Sequence, residues 1–293
     1  MTTDPNSAGG APATPVTIRT LRRMAARGEP FACLTCYDAT TARWLERAGV
    51  HLLLVGDTAA EVVLGFDSTI HMDLGVLLAL TAAVKRGAPT TMVMGDMPFM
   101  TYQADENDAL RNAARFLTEG NADIVKIEAD ESFAPLVARM TRAGVPVCAH
   151  VGSRPQTSRL TGGYASAGRT PAEADQIVRD ARALEDAGAT LLLIEATPPE
   201  VTERVIGSTS VPLIGIGAGP KCHGQVLVLH DLLGLTAWQP GFASPVANLG
   251  EQVLAAGQEW VRRVTERRVT DHRFQMRMSG DESGQAAPTK SPG

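Results

Sequence analysis

The chain has 293 residues, 44% of them hydrophobic, and 27 Lys and Arg stand against 32 Asp and Glu for a formal net charge of -5. That apolar content is ample for a packed core and excludes a disordered chain, while an acidic balance without a basic block excludes an electrostatic footprint for nucleic acid. No apolar stretch reaches membrane-spanning length, and the opening MTTDPNSAGGAPATPV has neither a charged n-region nor an apolar h-region, so a cytoplasmic protein is expected.

Residues 1–15 and 272–293, rich in Ser, Gly and Pro, read as disordered tails that leave 16–271 as a single domain. Within it, short apolar runs alternate with amphipathic segments. In chain order the runs are FACLTCYD, HLLLVGD, TTMVMGD, ADIVKIEA, VPVCAHV, TLLLIEA, VPLIGIG and QVLVLHD, the last placing a strand near 226–230. Helical stretches such as ATTARWLERAG, LGVLLALTAAVKRG, ENDALRNAARFLTEG, FAPLVARMTRAG and TPAEADQIVRDARALEDAG lie between them, several closed by a glycine. Eight such units, with strands apolar on both faces, predict a closed (β/α)8 TIM barrel followed by a C-terminal helix. Cys33 and Cys36 form a C-x-x-C, yet on a strand positions three apart face opposite ways and no second ligand pair accompanies them. With Cys148 and Cys222 they read as packed free thiols.

Active sites of such barrels sit at the C-terminal ends of the strands. Five runs carry an acid or imidazole there: Asp57, Asp96, Glu128, His150 and Glu195. Asp57, Asp96 and Glu128 come from consecutive strands about 4.8 Å apart and can converge on one cation; oxygen-only ligands suit Mg²⁺. Each acid alone also fits an N-cap of the following helix, Asp57 above all. In ADIVKIEAD, alternation puts Lys126 and Glu128 on one face and Val125 and Ile127 on the other. That pair is either a buried ion pair or part of the site. At the mouth Lys126 would bind a substrate carboxylate or stabilise an oxyanion, and the flanking acids favour a charged ammonium over a Schiff-base amine. Glu195, in apolar LLLIEA, fits a general base with a pKa raised by burial, or a carboxylate bonded to a neighbouring loop. His150 orients Glu195, hydrogen-bonds substrate, or is a satisfied core histidine. The stretch GIGAGPKCHGQ lacks both phosphate-loop and dinucleotide spacing and reads as a tight turn.

The segments LLLVGDTAAEVVLGFDSTI, GDMPFMTYQ, VKIEA, AHVGSRPQ, GGY and GIGAGPKCHGQVLVLHDLLGL, in this order, resemble the ketopantoate hydroxymethyltransferase family over most of the chain. The resemblance implies a (β/α)8 barrel, a ring-like homo-oligomer that is usually a decamer, and Mg²⁺ held directly or through water. It also implies that 5,10-methylenetetrahydrofolate donates a one-carbon unit to 3-methyl-2-oxobutanoate, giving 2-dehydropantoate in the pantothenate pathway. By resemblance Asp57, Asp96 and Glu128 match the metal-site acids, Lys126 and Thr58 contact the 2-oxo acid, His150 is a supporting histidine and Glu195 the catalytic base.

The chain departs from the family pattern at several places. It has Thr58 for serine, Ala60 for glycine and Glu61 for methionine, Ile70-His71 for leucine-proline, and Ser153-Arg154 for leucine-threonine. His223 replaces an aspartate, and Ser244 and Pro245 replace a basic pair. Glu61 is expected to add an acid near the mouth, and Arg154 to offer a cation for an anionic group. These changes keep open a paralogue acting on a different 2-oxo acid. Two further classes are a metal-dependent C–C lyase or mutase of the isocitrate lyase type, and a non-catalytic barrel that would be expected to lose its acids.

Overall fold

The eight apolar runs form eight parallel strands: β1 (Phe31–Thr35), β2 (Leu52–Val55), β3 (Met92–Asp96), β4 (Ile124–Glu128), β5 (Val147–Gly152), β6 (Leu191–Glu195), β7 (Leu213–Ile216) and β8 (Gly224–Leu227). Each pairs with the next, and β8 returns to β1 with Phe31 opposite Gly224, so the sheet closes into the expected TIM barrel. The eighth strand lies ahead of its expected 226–230, because Val228 already caps a short helix there. This computed structural model describes residues 14–269, so the expected tails, apart from residues 14 and 15, lie outside the described residues.

The helices are α1 (Ile18–Ala26), α2 (Ala39–Arg47), α3 (Ala59–Val62), α4 (Leu74–Gly87), α5 (Glu106–Thr118), α6 (Ala134–Arg142), α7 (Ser158–Thr161), α8 (Pro171–Asp186), α9 (Pro199–Ser208) and α10 (Leu229–Leu232). A second compact unit begins at Leu249 with α11 (Leu249–Thr265). Side-chain caps start several helices: Asp38, Asp73 and Asp105 accept backbone N–H groups at α2, α4 and α5, and Thr170 with Glu173 makes a capping box at α8. The acids at the strand ends are free for other work.

Two apolar layers follow from strand alternation. Val93, Val125, Ile127, Val151 and Ile194 point outward under the helices, whereas Met92, Met94, Ile124, Cys148 and Leu193 fill the barrel. Val16 and Leu21 join the inner group, so α1, which the strand-and-helix alternation did not reveal, closes the N-terminal end. Cys33 lies in the inner layer and Cys36 in the outer one, and all four cysteines are buried and free. The opposed orientation expected of the C-x-x-C is what the barrel shows.

Gly224 lets the ring close: a Cβ built there would stand 2.2 Å from Phe31 Cε2. Gly224→Ala is expected to destabilise the protein by about 1–3 kcal/mol through overpacking. Thermal unfolding followed by circular dichroism measures this, and an unchanged midpoint would mean that Phe31 has room to move.

Candidate active site

Because Ile124 joins the inner layer while Val125 and Ile127 join the outer one, Lys126 and Glu128 point into the barrel. They stand opposite Cys148 and His150 on β5, and Lys126 stands opposite Asp96 on β3. Asp57, Asp96, Lys126, Glu128 and His150 are all buried at the C-terminal end of the strands. The sequence-expected residues are thus brought together at one mouth.

Lys126 Nζ donates to both oxygens of Asp96, each at 2.7 Å. The Asp57 N–H donates to Asp96 Oδ2 at 3.2 Å, and Asp57 Oδ2 accepts from Gln156 Nε2 at 2.9 Å. Asp57 therefore caps no helix; Thr58, at the start of α3, makes no side-chain cap either and lines the adjoining cavity. Glu128 Oε2 accepts the Gln156 N–H at 3.0 Å, while Glu128 Oε1 has no hydrogen-bond partner among the described residues. His150 Nε2 stands 3.4 Å from Glu195 Oε2, and His150 Nδ1 stands 3.9 Å from Glu128 Oε1.

Charge in this buried cluster is unevenly shared. Burial would lower the Lys126 pKa, but Asp96, Asp57 and Glu128 outweigh it and hold the ammonium charged. Burial, reinforced by the Asp96 charge, pushes Asp57 up to about 8. Glu128 is raised well above the usual carboxylate range, again first by burial. Burial, with Lys126 and Arg154 nearby, keeps the His150 imidazole neutral. Burial pushes Glu195 up to about 7, with Lys126 opposing it. The Glu195 carboxylate accepts no hydrogen bond among the described residues, and its side chain is 22% exposed; the neighbouring loop bonds only its carbonyl, through the Ser153 N–H.

Gln156 is the residue that strand patterning missed. It is buried directly after β5, where its side chain also donates to the Met97 carbonyl and accepts from Gln103. Tyr102 Oη lies 2.8 Å from Gln156 Oε1 and accepts the Glu128 N–H at 3.0 Å, so one phenol links two of the loops above the acids. The R-P-Q run was the available signal, a glutamine placed beside a proline at the strand end. Among the described residues no three His, Cys, Asp or Glu side chains form a ready-made metal cage. Lys126 and Gln156 instead occupy the facing oxygens of Asp96 and Asp57.

A cavity of about 760 Å³ opens beside this cluster, with Thr58 and Glu195 in its wall. Glu61 lines it as expected and accepts from Tyr164 Oη at 2.9 Å. Arg154 does not offer a free cation: its Nη1 pairs with Asp130 Oδ2 at 2.7 Å, because the 3-10 turn that starts at Pro155 brings it against the β4 loop. His71 stands 3.4 Å from Asp67 and packs on Phe66. His223 Nδ1 accepts the Leu213 N–H at the N-terminal end of β7, away from the mouth.

A family model described as ketopantoate hydroxymethyltransferase matches residues 15–271. The 3-methyl-2-oxobutanoate hydroxymethyltransferase of Alkalilimnicola ehrlichii is 45% identical over 251 residues, covering 85% of this chain and 90% of that protein. The protein of the same name from Pyrobaculum arsenaticum is 43% identical over 237 residues, covering 81% and 89%. Among solved structures, a 2,3-dimethylmalate lyase described as a PEP mutase/isocitrate lyase superfamily member shares the fold, with a TM-score of 0.56 at 21% identity over 89% of this chain and 91% of that one. With the acids, lysine and imidazole gathered at the barrel mouth and a match that spans nearly all of the described residues, the chain belongs to the ketopantoate hydroxymethyltransferase family, a family of transferase enzymes.

Proposed function

We propose that this enzyme enolises 3-methyl-2-oxobutanoate and adds a one-carbon unit from 5,10-methylenetetrahydrofolate, giving 2-dehydropantoate for pantothenate biosynthesis. The observation that carries the reading is Glu195, a carboxylate tuned to about 7 by burial, standing between the acid cluster and the cavity.

A divalent cation fits the cluster. Asp57, Asp96 and Glu128 share a single buried cation, Lys126, and Glu128 Oε1 lacks a partner. The donors are all oxygen, which suits Mg²⁺ over zinc, and water would complete the shell because Lys126 and Gln156 already occupy part of it. When bound, Mg²⁺ would polarise the 2-oxo acid and make its C3 proton removable.

The chain's own residues supply the rest. Lys126 and Thr58 hold the acid's carboxylate and offset the charge that develops on its oxygen. Glu195 takes the C3 proton, with the neutral His150 imidazole 3.4 Å from its carboxylate and adding no competing charge. Water attacks the donor's methylene carbon and both of its C–N bonds break, so tetrahydrofolate leaves with the two water protons; the C3 electron pair then bonds to the freed formaldehyde carbon as its C=O π bond opens, and the C3 proton passes to the new alkoxide. Cytoplasmic placement suits four unpaired buried thiols, and no helix of the described residues is long and apolar enough to cross a membrane. The decameric ring is carried over from the family resemblance.

Proton NMR in D2O with Mg²⁺ and no folate tests the reading. Loss of the C3 signal from 3-methyl-2-oxobutanoate is the expected result. Glu61 in the cavity favours one second reading, a different 2-oxo acid, and exchange confined to another acid in a panel would establish it.

A further inference from the structure

The cavity is much larger than a five-carbon acid needs. Its volume of about 760 Å³ falls in the class that encloses a drug-sized ligand. Glu195 and Thr58 form part of its wall. Another part is built by α10 and the segment after it, with Asp231, Trp238 and Phe242 in the lining. No step described so far uses that part.

Asp231 is 8% exposed. Its Oδ1 accepts from Thr236 Oγ1 at 2.7 Å, and its other carboxylate oxygen has no hydrogen-bond partner among the described residues. A carboxylate oxygen in a cavity wall that no protein donor meets is open to a ligand that brings one. Glu61, the other acid in the lining, is less available because Tyr164 already donates to it.

The apolar surface around Asp231 suits a flat ring. Phe242 is seated by Gly217: φ there is +57°, and a Cβ would stand 2.7 Å from Phe242 Cδ1. The glycine-rich stretch after β7 therefore admits an aromatic ring to the cavity wall rather than gripping a phosphate. Trp238 is 75% exposed and presents a second aromatic face. At the rim Arg169 is exposed and makes no ion pair among the described residues.

We infer that Asp231 anchors the one-carbon donor by accepting paired N–H bonds from the aminopyrimidine edge of its reduced pteridine, with Trp238 and Phe242 as apolar walls and Arg169 facing the glutamyl carboxylates. This rests on the proposed hydroxymethyl transfer. A carboxylate meets two parallel N–H donors on one edge with a geometry that a single hydroxyl or amide cannot match. The arrangement leaves the donor's methylene carbon on the Glu195 side of the cavity, where the nucleophile forms.

Asp231→Asn tests this, since it keeps an acceptor for Thr236 but turns an amide N–H toward the donor edge. Steady-state transfer assays are expected to show the KM for 5,10-methylenetetrahydrofolate rising roughly tenfold or more, the size of one lost charge-assisted bond, with the KM for the 2-oxo acid within about twofold. Trp238→Ala, a change at an exposed position, should weaken tetrahydrofolate binding by roughly threefold or more in calorimetry, and it serves if the first variant fails to fold. An unchanged folate KM in Asp231→Asn, or equal losses for both substrates, would overturn the assignment. Folate-free C3 exchange by the wild type separates the two ideas: if it is absent, the proposed reaction fails, whereas exchange with an unaltered folate KM sinks the Asp231 anchor alone.

Discussion

Glu195→Gln is expected to remove C3 hydrogen exchange and hydroxymethyl transfer together, each by roughly 10²–10⁴-fold, the range general-base catalysis supplies. Glutamine is nearly the same size, and the carboxylate it replaces accepts no hydrogen bond among the described residues. Circular dichroism and the melting temperature should therefore stay close to wild type. The pH profile reads the same group. A base works only when unprotonated, and burial has pushed Glu195 up to about 7. Thus kcat/KM should climb with pH through about 7 and level off once Asp57, pushed up to about 8, has also lost its proton. His150 is held neutral and adds no limb there. Full exchange in the glutamine variant would move the base elsewhere in the mouth.

Lys126→Met should be the most damaging substitution for stability. Methionine fills the stem's volume, but both Asp96 oxygens lose their donor and three buried acids lose their shared cation. Removing one partner of a buried pair costs about 3–5 kcal/mol. For a chain of this size that is roughly a 10 °C fall in melting temperature. Added Mg²⁺ should restore part of the loss by replacing the missing charge, and the KM for the 2-oxo acid should rise. A melting temperature that neither falls nor responds to Mg²⁺ would show that Asp57, Asp96 and Glu128 simply hold protons in its absence.

The barrel and its acidic mouth were legible because both depend on short-range pattern. An apolar run such as HLLLVGD declares a strand, and the acid at its end declares which way the mouth faces. Partners distant in sequence were not legible. Gln156 meets Asp57 across 99 residues, and Tyr164 meets Glu61 across 103. Arg154 looked like a spare cation because nothing local shows that Asp130 waits on the preceding loop. Helix α1 escaped notice because its value lies in Leu21 fitting the barrel's floor, a property of the assembled ring. The charged pair in VKIEA was readable as inward-facing, but its partner Asp96 appears only with the β3–β4 register.

The pairing that sets Phe31 opposite Gly224, with the Phe31 N–H donating to the His223 carbonyl at 3.0 Å, ties the first strand to the last. While the chain is being synthesised, β1 emerges early and its closing neighbour only near the end, so for most of translation the sheet has two open edges. Unpaired edges recruit other chains, and long-range parallel pairing forms slowly. Nascent or truncated forms that stop before Gly224 are the ones to expect in chaperone complexes or inclusion bodies, and completion of the ring is what ends that exposure.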